Sequence, residues 1–152
     1  GLEDRSPSRI ILDNRLRIPI NSNILKNNSK YKTYIFYNKD NKKKLKLLRN
    51  LGIKLCKIPI DSKGDLNLIK ALDKVTKLGF SRIFLESGIK LSSSFLKQNL
   101  VNDLKIFISN KKLNKFGEGS IKKYFQTLLK RKKYTAEKVN LFNEKLISYR
   151  IK

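Results

Sequence analysis

Apolar and polar positions alternate along the chain in a pattern that predicts strands interleaved with helices. Short runs rich in β-branched and aromatic residues are typical of buried strands, and they occupy residues 9–13, 31–37 and 53–58. Between and after the last two runs, apolar residues recur at three- and four-residue spacing, which predicts helices with one apolar face over residues 41–51 and 66–78. This order of elements favours a parallel sheet with helices packed on it.

Four residues mark the expected ends of these two helices. Asp40 and Asp65 stand at N-cap positions, where a carboxylate accepts hydrogen bonds from the free N–H groups of the first turn. Gly52 and Gly79 follow the last apolar positions, and glycine is common after a helix because it adopts a left-handed conformation without strain.

The next segment contains the candidate site. Residues 83–85 are a short apolar run, which predicts a strand, and Glu86 stands at its end. Gly88 lies in the turn, and the helix that follows is predicted from the spacing of Leu91, Phe95 and Leu96. A strand, a glycine turn and a helix start present free N–H groups at the carboxyl end of a sheet, where α/β folds hold phosphates and cofactors.

The last third of the chain changes character. Residues 103–109 are predicted as a strand, 110–120 as a polar loop, and 121–129 as either helix or irregular structure. Residues 134–142 and 145–151 alternate apolar with polar positions, which predicts a terminal hairpin. The predicted fold is therefore α/β, with a mostly parallel central sheet flanked by helices and a C-terminal antiparallel hairpin, in one domain over residues 1–152.

Composition narrows the possible classes of function. The chain has 152 residues, a single cysteine (Cys56) and no histidine, which argues against a disulfide framework, a zinc site, and Ser-His or Cys-His catalysis. It has no apolar stretch long enough to cross a membrane and no signal peptide, so we expect a cytoplasmic protein without a membrane partner. Because it has no methionine and opens with glycine, we interpret it as a fragment or a processed chain.

The net charge of +24 would suit a polyanionic partner. Lysines are nevertheless spread over every predicted element, and no single basic stripe dominates. We therefore attribute the charge to biased surface composition and expect no nucleic-acid partner. A basic nucleic-acid-binding module stays open as an alternative.

Two motifs in order resemble a known enzyme family. The opening RIILDNRLRIP (residues 9–19) is similar to one family motif, and the Glu86-Ser87-Gly88 turn followed by NLVNDL (residues 99–104) is similar to another. Gly117 and the terminal hairpin match later features. The chain thus resembles the reductase half of the bifunctional riboflavin-biosynthesis deaminase–reductase, over nearly its whole length.

This resemblance implies a dihydrofolate-reductase-like fold, a homodimer and an NADPH-dependent reduction. The implied substrate is a phosphorylated pyrimidine-ribose, 5-amino-6-(5-phosphoribosylamino)uracil, whose ribose becomes a ribityl chain. Glu86 matches a substrate-binding position. The positions matched to cofactor binding are Asn14, Gly88, Ile89, Lys90, Leu91, Ser92, Ser93 and Ser94. No acid–base pair is implied within this stretch, because the cofactor supplies the hydride.

Several residues depart from the family pattern. Ser87 replaces a glycine or alanine, Ile89 and Lys90 replace a frequent Pro-Thr pair, and Asn14 replaces a serine or threonine. Lys90 still suits a phosphate electrostatically.

The family's reductase domain starts earlier, with a strand and a loop that contact nicotinamide and substrate phosphate, and this sequence lacks both. It also lacks the zinc-deaminase signature. We therefore expect a single reductase-like domain without its N-terminal strand and loop, and a non-catalytic dimerisation remnant is the alternative.

Overall fold

The computed structural model describes most of the chain, in two compact units, Gly1–Ile83 and Phe84–Lys152. The described residues are 7–26, 31–109, 125, 129–130, 132–139 and 144–152.

The first unit contains a three-stranded parallel sheet in the order β1-β2-β3. Its strands are β1 (Arg9–Leu12), β2 (Thr33–Tyr37) and β3 (Lys54–Lys57). Every residue of the central strand β2 is buried, which explains its aromatic and β-branched sequence, TYIFY. The three strands predicted from the first three apolar runs are confirmed, each one or two residues shorter than predicted.

Helices cover both faces of this sheet. They are α1 (Asn23–Lys26), α2 (Lys42–Asn50) and α3 (Leu68–Lys77). On one face, the buried leucines of α2 pack with Ile35 and Tyr37 of β2. On the other face, Ala71 and Val75 of α3 join the cluster that contains Tyr34 and Phe36. The period-two alternation of β2 thus supplies side chains to two separate hydrophobic layers.

The predicted N-caps of both long helices were wrong. Asn41 caps α2, and Asp40 instead forms an ion pair with Lys57 of β3. Asn67 caps α3, because Asp65 closes the preceding turn: its N–H donates to the Asp61 carboxylate, and its carbonyl accepts from the Asp61 N–H at 2.7 Å. In both cases the aspartate makes another contact, an ion pair or a turn hydrogen bond. An asparagine one or two residues later then caps the helix.

The short helix α1 lies in a polar segment rich in asparagine and serine, residues 21–30, whose sequence is typical of a loop. Its four residues are too few for intrinsic propensity to stabilise a helix. Leu25 is buried in the same cluster as Leu16, so packing rather than sequence pattern accounts for this helix.

The second unit contains helix α4 and an antiparallel sheet in the order β4-β6-β5. Its elements are α4 (Ile89–Lys97), β4 (Asp103–Ile108), β5 (Tyr134–Lys138) and β6 (Lys145–Arg150). The predicted hairpin is confirmed as β5 and β6, and the predicted fifth strand is β4, which pairs antiparallel with β6. The predictions for residues 110–120 and 140–142 lie outside the described residues, as does most of 121–129.

The prediction of a strand at residues 83–85 was wrong. Residues 81–88 have no regular secondary structure, and the side chains of Ile83 and Phe84 are 51% and 82% exposed. A strand requires a hydrogen-bonding neighbour, and no strand of the described residues pairs with this segment. An apolar run alone could therefore not make a strand here.

Within the described ranges, no helix is long and apolar enough to cross a membrane.

Candidate functional site

The candidate site is built around the first turn of α4. Gly88 is the N-cap, with φ of −64° and ψ of 165°, and its carbonyl accepts the first helical hydrogen bond, from the Ser92 N–H at 3.2 Å. Glycine has no side chain with which to cap the helix, and no side-chain hydrogen bond is made at this position. The N–H groups of a helix's first turn have no partner within the helix, so this helix start presents donors to a ligand.

The starts of the two other long helices differ. The side chain of Asn41 accepts a hydrogen bond from the Lys44 N–H, and that of Asn67 accepts one from the Lys70 N–H, each at 3.0 Å. Among these three helices, only α4 begins without a capping side chain.

Two serines hold the turn against the helix. The hydroxyl oxygens of Ser87 and Ser92 are 2.9 Å apart, and the Ser92 hydroxyl also donates to the Ser87 carbonyl at 3.3 Å. Ser87 stands where the resembling family has glycine or alanine, so its side chain adds a contact that the smaller residues cannot make. The turn before α4 is therefore fixed by side chains as well as by the backbone.

The other two serines of α4 have different surroundings. The Ser94 hydroxyl donates to the Lys90 carbonyl at 3.1 Å, one helical turn earlier, which leaves its oxygen free to accept. Ser93 is only 5% exposed, and its hydroxyl has no hydrogen-bonding partner among the described residues. Leu91 and Ile89 are half-buried beside these positions.

The charges near the turn favour an anion. The first turn of α4 contains no acidic residue, and Lys90 lies in it with an exposed side chain. The positive end of the helix dipole and the lysine act together on a negative ligand. Glu86 is exposed just before the turn and makes no ion pair with another described residue.

The space beside Gly88 is open. A Cβ atom built on this residue would meet nothing within 4 Å, and its negative φ is accessible to any residue. Neither steric crowding nor backbone strain therefore requires glycine at this position.

Asn14 lies in the other compact unit, at the carboxyl end of the parallel sheet. Its side-chain amide donates to the Gly64 carbonyl at 2.9 Å, and its own carbonyl accepts from the N–H groups of Asn38 and Lys39. The structure thus shows Asn14 tying together the loops that follow the strands. Its proposed contact with cofactor stays a prediction.

Asn38 was missed in the interpretation of the sequence. Its side-chain amide donates to the Ile58 carbonyl at 2.9 Å, and this bond links the ends of β2 and β3. The available signal was its position, since it is a polar residue directly after a buried strand. In parallel sheets, such residues meet at the edge where ligands bind.

The described residues contain no group of three histidine, cysteine or acidic side chains that could hold a metal ion. Cys56 is half-buried in β3, and burial raises the pKa of its thiol, against the opposing effect of Lys74 and Lys54. The raised pKa keeps this thiol protonated at neutral pH.

The curated proteins that match this chain include two bacterial relatives. Both are named riboflavin biosynthesis protein RibD. That of Aquifex aeolicus (strain VF5) is 29% identical over 149 residues, which are 96% of this chain and 39% of the relative. That of Actinobacillus pleuropneumoniae is 27% identical over 107 residues, 70% of this chain and 28% of the relative. The chain thus spans less than half the length of these relatives.

Solved structures share the fold. Acinetobacter baumannii RibD (form 2) matches with a TM-score of 0.64 at 19% identity, covering 95% of this chain and 37% of that one. A pyrimidine reductase-like protein from Corynebacterium diphtheriae matches with a TM-score of 0.67 at 15% identity, covering 95% and 60%. The predicted α/β fold of the dihydrofolate-reductase-like type is confirmed by these likenesses.

A family model agrees with both comparisons. The model described as the RibD C-terminal domain matches residues 1–146. The chain therefore belongs to the RibD C-terminal domain family.

Proposed function

We propose that the chain is the NADPH-dependent reductase portion of a riboflavin-biosynthesis enzyme. Its substrate would be 5-amino-6-(5-phosphoribosylamino)uracil, whose ribose is reduced to the ribityl chain. The match of residues 1–146 to the RibD C-terminal domain carries this proposal. The names of the two bacterial relatives, which place them in riboflavin biosynthesis, support it.

The start of α4 suits a phosphate of the cofactor. The free N–H groups of Ile89 and Lys90 can donate to phosphate oxygens, and the Lys90 ammonium adds a charge of the right sign. Ser87 and Ser92 fix the turn in which these donors lie. When bound, NADPH supplies the hydride for the reduction.

The chain's own residues then bind and orient the two phosphorylated ligands. The exposed Glu86 carboxylate accepts hydrogen bonds, and the pyrimidine N–H groups and ribose hydroxyls of the substrate are donors. Fixing both ligands in reacting geometry is the contribution expected of a protein whose cofactor carries the chemistry.

Titration of NADPH into this chain by calorimetry, at moderate salt, tests the proposal. NADH and a DNA duplex serve as controls. We expect saturable NADPH binding that weakens by more than about tenfold in Gly88→Asp, because a carboxylate would both cap the N–H groups and repel the phosphate. Gly88→Ala is the matched control, since its added Cβ meets nothing within 4 Å.

The outcomes separate the candidates. Equal NADPH affinity in Gly88→Asp and the parent chain would contradict a phosphate site at α4. A folded, dimeric chain that binds no NADPH would favour the non-catalytic dimerisation remnant. Light scattering on the same sample tests the proposed homodimer.

The distribution of basic side chains supports the expectation that nucleic acid is not a partner. Lys42, Lys46 and Arg49 recur at four- and three-residue spacing on α2, and α3 carries its basic residues at the same spacing. These helices cover opposite faces of the parallel sheet, so their charges do not form one surface. Strong, salt-dependent binding of the DNA control would overturn this expectation.

A further inference from the structure

Four asparagines in the segments that follow the parallel strands use their side chains in two different ways. Asn41 and Asn67 accept a hydrogen bond through the side-chain oxygen, each as the N-cap of the helix that follows. Asn14 and Asn38 instead donate through the side-chain nitrogen. The side-chain oxygens of this second pair are therefore free to accept.

Both amides of this second pair are fixed in orientation. The Asn14 nitrogen donates to the Gly64 carbonyl and the Asn38 nitrogen to the Ile58 carbonyl, each at 2.9 Å. A backbone carbonyl can only accept, so the nitrogen of each amide faces it and the oxygen lies on the other arm. Neither oxygen has a donor among the described residues, and both residues are half-buried.

The two amides belong to adjacent loops. The Asn38 N–H donates to the Asn14 carbonyl at 3.1 Å, and the Lys39 N–H donates to the same carbonyl at 2.9 Å. The segments after β1, β2 and β3 are thus joined at the carboxyl end of the sheet, the edge at which parallel sheets bind ligands. Two acceptors of fixed orientation in adjacent loops match a ligand that carries two neighbouring donors.

The charges around this pair do not favour a phosphate. Asp13, Asp40 and Asp61 follow the three strands and offset the lysines of the same segments. Each of these carboxylates already accepts from a protein donor. The first turn of α4 differs, because it contains no acidic residue. Sugar hydroxyls are neutral donors, so a ribose suits the asparagine pair better than a phosphate does.

We propose that the side-chain oxygens of Asn14 and Asn38 accept hydrogen bonds from neighbouring hydroxyls of a ribose. A sugar hydroxyl can replace the water that such an oxygen binds in the free protein. The choice of ribose rests on the proposed function, because NADPH and the proposed substrate each contain this sugar. The resemblance matched Asn14 alone to the cofactor, so Asn38 is an additional binding residue, and the sugar is the part of the ligand assigned to the pair.

Matched ribose and deoxyribose ligands test this assignment. Nicotinamide mononucleotide carries the cofactor's ribose, and uridine monophosphate stands for the substrate's pyrimidine-ribose. Each is titrated by calorimetry into the 152-residue chain beside its deoxyribose counterpart. We expect at least one ribose ligand to bind about tenfold more tightly than its counterpart, which lacks one donor. A preference with nicotinamide mononucleotide identifies the cofactor as the source of the ribose, and one with uridine monophosphate identifies the substrate.

A pair of alanine variants shows whether Asn38 recognises the hydroxyl. In Asn38→Ala we expect the ribose preference to shrink from about tenfold to about twofold or less. Asn41→Ala is the matched control and should keep the full preference, because the Asn41 oxygen already accepts from the Lys44 N–H. An unchanged preference in Asn38→Ala overturns the proposal. Equal affinity for ribose and deoxyribose forms overturns it too, as does a lack of binding by both ribose ligands.

Side-chain amide signals in the NMR spectrum provide a test that needs no variant. On titration of the unaltered chain with the preferred ligand, we expect the NH₂ signals of Asn14 and Asn38 to shift. Those of Asn41 and Asn67 should stay in place. No shift at Asn14 and Asn38 overturns the proposal. Circular dichroism checks that each variant is folded, and the NMR result stands where a variant is not.

The ribose site and the proposed function can fail separately. NADPH binding that Gly88→Asp weakens, in a chain without ribose preference, would overturn the assignment of Asn14 and Asn38 and keep the phosphate site at α4. A ribose preference that Asn38→Ala removes, in a chain that does not bind NADPH, would overturn the NADPH-dependent function and keep the ribose site.

Discussion

Helices α3 and α4 are similar in length but begin in opposite ways. The first turn of α3 is capped by the Asn67 side chain, and Ala71 and Val75 are buried against the parallel sheet. The first turn of α4 follows the exposed residues Ile83 and Phe84 and has only Gly88 as its cap. A side chain therefore accepts one of the free first-turn N–H groups in α3, and no side chain does so at the N-cap of α4.

This difference is the basis for proposing a binding site at the start of α4 and a structural role for α3. An open space around Gly88 would accept a capping side chain, and folding stability alone would favour one. Glycine is instead the residue that allows a ligand to approach the backbone closely. The lack of a capping side chain at α4 supports the proposal that its first turn binds a ligand.

The strongest test of the contrast compares two phenylalanines. Phe36 is fully buried in β2, and we expect Phe36→Ala to lower the free energy of unfolding by about 3–5 kcal/mol. Phe84 is 82% exposed, and we expect Phe84→Ala to change it by less than about 0.5 kcal/mol. Urea denaturation measures both. Similar losses in the two variants would show that the segment before α4 is buried in solution.

Removing the cap of α3 should have an intermediate effect. Asn67→Ala leaves the Lys70 N–H without its acceptor, and we expect a loss of about 1 kcal/mol. Asn67→Gly is a matched control that recreates the start of α4, with an expected loss of only a few tenths of a kcal/mol. Thermal unfolding measures both, and a neutral Asn67→Ala would remove the basis of the contrast.

Adding a cap to α4 should have a small effect of the opposite sign. Gly88→Asp supplies an acceptor and a negative charge at the positive end of the helix, and we expect stability to rise by roughly 0.5 kcal/mol. This is the variant expected to lose NADPH affinity, so stability and binding would change in opposite directions. A destabilised Gly88→Asp protein would contradict the open geometry around this residue.

The smallest expected effect is on how the free energy of unfolding depends on pH, through Cys56 in the parallel sheet. Burial raises the pKa of the Cys56 thiol in the folded chain, while Lys74 and Lys54 lower it. The stability linked to this group is therefore fully present below the thiol's ordinary value of 9.0 and is lost as pH rises through the folded value. Urea denaturation between neutral and alkaline pH should show a shallower decline for Cys56→Ala. An equal decline in both proteins would contradict this expectation.

The pattern of apolar residues was enough to predict the helices and strands that pack against one another within this chain. The strands β1, β2 and β3 and the helices α2 and α3 follow from apolar spacing, because each packs against another of these elements. The glycine turn and the helix at Gly88 were predicted for the same reason, since Phe95 and Leu96 give α4 a buried face.

The wrong predictions concern residues whose structure depends on a contact with a residue distant in the sequence. Residues 83–85 are apolar, but a strand also needs a neighbour, and sequence pattern does not report on one. Asp40 is a good cap by type, but Lys57 from a distant strand engages its carboxylate. The turn at Gly88 was predicted from sequence pattern and the individual site residues from resemblance. The hydroxyl contact between Ser87 and Ser92 could not be predicted, because it depends on the shape of one turn.

The alternation of β2 has a consequence for how the first unit unfolds. Ile35 and Tyr37 belong to the hydrophobic layer under α2, and Tyr34 and Phe36 belong to the layer under α3. If either layer unfolds, β2 loses the contacts on one of its faces, and the other layer depends on the same strand. We therefore expect the parallel sheet and its two long helices to open as one cooperative unit rather than layer by layer.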